Sequence, residues 1–306
     1  MQQYTELELQ IKSVKYRLAL LKYIKLAKAG HTGGSLSCTD ILNVLYNDVL
    51  NVSPETFKNA DRNRYIQSKG HSVEALYVVL ADKGFYPEKD LETLCKYQSK
   101  YVGHPTRKVN GIEFNTGALG HGMPISTGIA LAAKKDKKDY KVYTLIGDGE
   151  LAEGSNWEAA MMAAHYKLDN FVTILDHNTL QITGYNADVC SPYPIDEKFR
   201  AFGWHVVSID GNSISELRET FHKVPEVKGK PTFIIANTTK GKGVSFMEGE
   251  KKWHHGVPSD EQYVQAVEEL ESELNRLNNI WPGGRSLKPE GGASASCFRL
   301  PAQGLL

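Results

Sequence analysis

Four short runs rich in β-branched residues constrain this chain more than any other feature. They are VYTLI (142–146), FVTIL (171–175), HVVSID (205–210) and PTFIIAN (231–237), and each ends in polar residues or glycine, as strands do. Between them lie stretches with helical spacing of apolar residues, 154–168, 196–203 and 213–223. Strands alternating with helices predict βαβ units, and therefore an α/β fold in which a parallel sheet carries helices on both faces. Upstream, Leu7, Ile11, Val14, Leu18 and Leu21 predict a helix over 6–29 that stops at Gly30. The run ILNVLYNDVL predicts a second helix, capped by Thr39 or Asp40 and ending near Asn51.

Charge and composition then narrow the function. Lys+Arg and Asp+Glu both number 36, so there is no basic excess to attract a nucleic acid. The longest apolar run, 75–81, is far short of the ~20 residues that span a bilayer, so no membrane partner is expected. The first ten residues carry two Glu and no basic stretch, unlike a secretory leader. Cys38, Cys95, Cys190 and Cys297 are scattered with no C-x-x-C pair, which points to a reducing, cytoplasmic setting. Residues 282–306 are rich in Gly, Pro and Ser without periodicity. One domain over 1–275 followed by a flexible tail over 276–306 is therefore expected.

In a parallel α/β sheet, ligands gather beyond the carboxyl ends of the strands. After VYTLI comes Gly147-Asp148-Gly149-Glu150, and after FVTIL comes Asp176-His177-Asn178. If these runs are neighbouring parallel strands, Asp148 and Asn178 emerge side by side. A carboxylate and an amide oxygen, with a backbone carbonyl, suit Mg²⁺ or Ca²⁺. Gly149 lets the backbone approach a diphosphate closely. Five of the ten histidines, His31, His71, His104, His121 and His255, adjoin a glycine, more than the chain's 27 glycines would place there by chance. Such loop histidines can move protons near neutral pH. His165, His177, His205 and His222 lie within helix- or strand-like runs and read as structural.

The segment GDGELAEGSNWEAAMMAAHYKLDNFVTILDHNTLQITG (147–184) resembles the thiamine diphosphate motif of transketolases. Other family segments follow in order: H-T-G-G-S at 31–35, S-K-G-H at 68–71, G-H-P at 103–105, T-G-A-L-G-H-G at 116–122, T-K-G-K-G at 239–243 and W-H-H-G at 253–256. The resemblance covers about residues 5–275 and corresponds to the amino-terminal, diphosphate-binding (PP) part of the family. It implies thiamine diphosphate as cofactor, with Mg²⁺ or Ca²⁺ held by Asp148, Asn178 and the carbonyl of Leu180. It further implies that His71, Gly117, Gly149 and Lys240 hold the diphosphate or nearby cofactor atoms, and that Leu119 and Ile182 touch its rings. His31, His104 and His255 would handle the donor's hydroxyls and protons, with His255 also near the cofactor. Glu153 would bridge toward a partner chain, and His121 would lie against the aminopyrimidine. Of the tandem pair, the Gly-preceding His255 is the better match to the family than His254.

The resemblance implies transfer of a two-carbon ketol unit from a ketose phosphate to an aldose phosphate. It also implies that this chain needs help. Nothing in the sequence resembles the pyrimidine-binding domain that supplies the activating glutamate, and Glu150, Glu153 and Glu158 belong to the G-D-G motif. The expected partners are a second copy of this chain and a carboxy-terminal transketolase subunit, in a split enzyme of two plus two. Rival readings are the corresponding part of a 1-deoxyxylulose-5-phosphate synthase, the α subunit of a 2-oxo acid dehydrogenase, or a nucleotide-binding module without catalysis. The dehydrogenase subunit usually has E-N-N where this chain has Asp176-His177-Asn178, and the bare module leaves Asp148, Asn178 and the loop histidines unexplained.

Overall fold

The computed structural model describes residues 4–280. Its helices are α1 (Glu6–Ala27), α2 (Thr32–Val44), α3 (Val73–Asp82), α4 (Gly122–Lys135), α5 (Gly154–His165), α6 (Asn186–Val189), α7 (Ile195–Ala201), α8 (Ile214–Lys223) and α9 (Asp260–Ile280). The strands are β1 (Arg64–Gln67), β2 (Val142–Gly147), β3 (Phe171–His177), β4 (His205–Asp210) and β5 (Thr232–Asn237). All pairings are parallel, in the order β1-β2-β3-β5-β4.

Alternate residues of the central strands enter two separate apolar cores, which is how a sheet buried on both sides reads in sequence. Tyr143, Leu145, Val172, Ile174 and Ile234 face α1, α2, α3, α8 and α9. Val142, Ile146, Phe171, Leu175 and Phe233 face α4, α5 and α7, where Phe199 stacks on Phe233 with ring centroids 3.5 Å apart. No helix among the described residues is long and apolar enough to cross a membrane.

Two elements depart from the sequence expectation. Strand β1 was not anticipated: its four residues, RYIQ, begin and end in polar side chains, so no apolar run announces it. Helix α2 starts at Thr32, well before the expected cap, and runs into a π-helical turn, Leu45–Val49. Thr39 and Asp40 are therefore interior. Thr39 Oγ1 donates to the Ser35 carbonyl (2.8 Å), while Asp40 accepts a two-pronged bond from Arg17 (3.0 and 2.7 Å). Gly33 and Gly34, poor helix formers, are tolerated in the first turn because the backbone there lies against other parts of the site. A Cβ on Gly33 would stand 3.0 Å from Lys240 Cγ and 3.1 Å from the Trp253 carbonyl.

Helix α1 opens with a reciprocal Thr5–Glu8 capping box and packs on α2, α3 and α9. Helix α9 runs to Ile280, so residues 276–280 are helical and not the start of a tail; the rest of the expected tail, 281–306, lies outside the described residues.

The Arg17–Asp40 pair locks α1 to α2 inside the fold. Arg17 also donates to the carbonyls of Leu36 (3.3 Å) and Lys242 (2.9 Å), and Asn212 Nδ2 donates to Asp40 (2.9 Å). Removing one member leaves a buried charge with nothing to oppose it. Asp40→Ala is therefore expected to cost about 3–5 kcal/mol in urea unfolding of the chain. A loss under about 1 kcal/mol would mean that water reaches Arg17 and replaces its partner.

Candidate active site

The carboxyl ends of the strands converge on one cleft. Strands β2 and β3 are neighbours with Gly147 opposite Asp176, so Asp148 and the Asp176-His177-Asn178 turn leave the sheet together. The 178–180 turn wraps the Asp148 carboxylate: Gly149 and Thr179 donate their N–H groups to it. Burial, and then the charge of Asp176, push the Asp148 carboxyl above the ordinary range. Asn178 Nδ2 donates to Asp176 (3.3 Å), and its Oδ1 accepts from the Leu180 N–H (3.2 Å). The Leu180 carbonyl accepts from the ammonium of Lys240 (3.1 Å).

Oxygen donors from Asp148, after β2, and from Asn178 and Leu180, after β3, are thus grouped at one sheet edge, and the Lys240 ammonium already sits on one of them. Close by, Gln181 Nε2 is buried without a hydrogen-bond partner, and a Cβ on Gly149 would meet Gln181 and Asn186. A hard divalent cation fits these oxygen donors, and the Lys240 ammonium beside them suits a phosphate group.

A second group of side chains is made of imidazoles. The ring of His31 lies 5.3 Å from His71, 6.1 Å from His104, 5.7 Å from His254 and 4.3 Å from His255. His254 stacks on His71 at 5.5 Å and accepts from Lys240 through Nδ1 (2.9 Å). Burial, with the nearby His255 and His104, takes His31 down to about 4; burial, with Lys240, takes His254 down to about 3. Burial also lowers His71 and His104, and it lowers Lys240 to about 8. At neutral pH His31 and His254 are uncharged imidazoles beside the Lys240 ammonium.

The segment leading into α4 closes the cleft through two glycines. Gly117, at φ +140°, brings its backbone so close to His104 that a Cβ would lie 2.6 Å from the ring. Gly120, at φ +81°, has the same relation to Glu153, whose Cβ would be 2.5 Å away. Leu119 is half-buried in this loop, and Glu153 is exposed. His121 is exposed and its Nδ1 faces the carbonyls of Ala118 and Leu119, within its own loop. Ile182 stands 61% exposed at the mouth.

His177 bonds Asn237 and Tyr193, His205 bonds Glu226, and His222 bonds Asp48; none joins the imidazole group.

Several residues of the site escaped sequence reasoning. Glu150 is buried and accepts from Ser68 Oγ and from the N–H groups of Gly120 and Gly147, fastening three loops. Lys69 and Asp176 form a fully buried ion pair beneath the cleft. His254 is more buried than His255 and holds Lys240; its signal was its place directly after Trp253. Glu74, on α3, accepts from Ser35 Oγ (2.7 Å) and from the N–H of His31 (3.2 Å).

Comparison with known proteins identifies the family. The family model "Transketolase, thiamine diphosphate binding domain" matches residues 10–272. An apulose-4-phosphate transketolase subunit from Phocaeicola vulgatus is 49% identical over 269 residues, 88% of this chain and 96% of that protein. The 6-deoxy-6-sulfo-D-fructose transketolase subunit SqwG of a Clostridium species is 39% identical, covering 88% of this chain and 98% of that protein. The crystal structure of transketolase from Campylobacter jejuni superposes with a TM-score of 0.76 at 30% identity; it covers 91% of this chain, which spans 48% of that one.

Burial raises the Glu74 carboxyl from its ordinary 4.5 to about 7. The folded state then holds this proton more tightly than the unfolded chain, so its contribution is full below pH 4.5 and is lost as pH rises from about 4.5 to 7. Glu74→Gln should therefore be more stable than the parent at pH 8, by up to about 3 kcal/mol, with the difference closing below pH 5. Denaturant melts at both pH values check this, and a constant difference would refute it. By the family model, these relatives and the fold, the chain belongs to the transketolase thiamine diphosphate-binding domain family.

Proposed function

We propose that this chain is the diphosphate-binding subunit of a two-chain transketolase that moves a two-carbon ketol unit from a ketose phosphate to an aldose phosphate. The observation that carries this reading is one of extent: the chain spans nearly all of relatives named as subunits but under half of the solved Campylobacter enzyme. The two subunit relatives are named for different sugars, so the preferred sugar phosphates are left unassigned.

In this reading Asp148, Asn178 and the Leu180 carbonyl hold Mg²⁺, or Ca²⁺ in its place. Gly149, Gly117, His71 and Lys240 receive the diphosphate, Lys240 by moving its ammonium from the Leu180 carbonyl. Leu119 and Ile182 offer apolar contact to the cofactor rings. When bound, thiamine diphosphate supplies the electron sink for breaking the donor's carbon–carbon bond. His31, His104 and His255 bond the donor's hydroxyls and take or return their protons; neutral His31 and His104 are in the state a base requires. Glu153 faces a second copy of the chain. A carboxy-terminal subunit brings the pyrimidine-binding domain, giving a heterotetramer, and the free thiols of Cys38, Cys95 and Cys190 accord with a cytoplasmic location.

Calorimetry of the purified chain with thiamine diphosphate and Mg²⁺ should detect binding, and Asp148→Ala should weaken it at least tenfold. Two-carbon transfer should appear only when the carboxy-terminal subunit is added. Unchanged affinity in Asp148→Ala would remove the metal assignment, and robust transfer by this chain alone would remove the two-chain reading.

A further inference from the structure

We propose that His31, His254 and His255 form a second metal site, for a borderline divalent transition metal with Zn²⁺ foremost, separate from the oxygen donors at Asp148 and Asn178. One ligand nitrogen from each ring can be chosen so that all three lie within 4.8 Å of one another. Some point then lies within about 2.8 Å of all three, against the Zn–N bond of about 2.0–2.1 Å, so each ring needs to close by less than about 1 Å. Around a tetrahedral ion at that bond length, imidazole centroids stand about 5 Å apart. The three centroid distances here, 4.3, 4.8 and 5.7 Å, bracket that value.

The mobility required is on hand. His255 is exposed, and His254 ends a single 3₁₀ turn, Lys251–His254. His31 Nδ1 is a buried nitrogen with no hydrogen-bond partner. Three imidazoles without a carboxylate select Zn²⁺, Ni²⁺ or Cu²⁺ over Mg²⁺, so one cleft would sort two kinds of metal by donor chemistry.

One group opposes the ion. The Lys240 ammonium lies 2.9 Å from His254 Nδ1, and it repels a dication even while it keeps its bond to the Leu180 carbonyl. Affinity should accordingly be micromolar, well short of a structural zinc. The consequence for turnover rests on the function proposed above, since His31 and His255 would then be shared with the donor sugar. Ion and ketose would exclude each other.

The test strips the purified full chain with a chelator and titrates it with Zn²⁺ alone by calorimetry, and with Co²⁺ by visible absorption. One equivalent of Zn²⁺ should bind, with the strong visible bands of four-coordinate Co²⁺. His31→Ala and His254→Ala should each weaken binding at least tenfold, and Asp148→Ala should leave it unchanged. Thermal melting checks that each variant folds, and exposed His255→Gln serves if His31→Ala does not. No binding at about 0.1 mM Zn²⁺, or equal binding in a variant lacking all three imidazoles, overturns the site. In the assembled two-chain enzyme, Zn²⁺ should raise the apparent KM for the ketose. Binding of one Zn²⁺ with no change in KM would leave the metal site standing and overturn the assignment of His31 and His255 to the donor.

Discussion

The cleft depends on one buried carboxylate. Asp176, at the carboxyl end of β3, accepts from Lys69 after β1, from Ser37 on α2 (2.6 Å), from Thr238 after β5 and from Asn178 in the next turn. Burial alone would push this carboxyl up, but the Lys69 charge and these donors hold it below the ordinary range. Lys69 is raised in return, because the attraction of Asp176 outweighs its own burial. Two charges excluded from water are tolerable only when each is paired and every remaining lone pair is bonded. Here that condition fixes four separate chain segments relative to one another, and those segments carry the residues of the site.

The same pairing explains the electrostatics above it. Lys69 is paired with Asp176, whereas Lys240 hydrogen-bonds a carbonyl and a neutral imidazole, and burial lowers it to about 8. The cleft thus keeps one ammonium available to an anion, while the histidines around it are held uncharged. A binding wall of this kind attracts phosphate without protonating its imidazoles, which leaves them free to accept protons.

Much of this was legible in the sequence, and the failures have physical causes. The central strands announced themselves because burial on both faces makes them continuous apolar runs. Their polar ends located Asp148 and Asn178 because parallel neighbours must release their chains at the same edge, as the Gly147–Asp176 register does. Strand β1 was hidden because Gln67 keeps its polar side chain inside, donating to Ser72. The early start of α2 was hidden because its first turn uses glycines for close packing, against the helix propensity of that residue. Asp176 and Glu74 were passed over for a different reason. A buried carboxylate looks like any surface acid until its donors, which come from Ser37, Lys69 and Thr238 or from His31 and Ser35, are brought to it by the fold.

Those buried acids also bear on the two-chain reading proposed above. An acid that works on a cofactor's proton must have an oxygen free to face it. Among the described residues, each buried carboxylate at this edge is already committed. Asp176 holds Lys69, Glu150 binds Ser68, Gly120 and Gly147, Glu74 holds Ser35 and His31, and Asp148 is wrapped by the 178–180 turn. Releasing any of them would unfasten a loop of the site. Glu153 is available, but it lies exposed beside Gly120, outside the cleft's interior. The mouth meanwhile carries apolar side chains with nothing over them: Ile182 at 61% exposure and Tyr185 at 55%. A surface missing an acid and offering apolar contact at the same mouth is the complement of a second chain that brings both, and this is the physical sense in which the proposed transketolase would be divided between two chains.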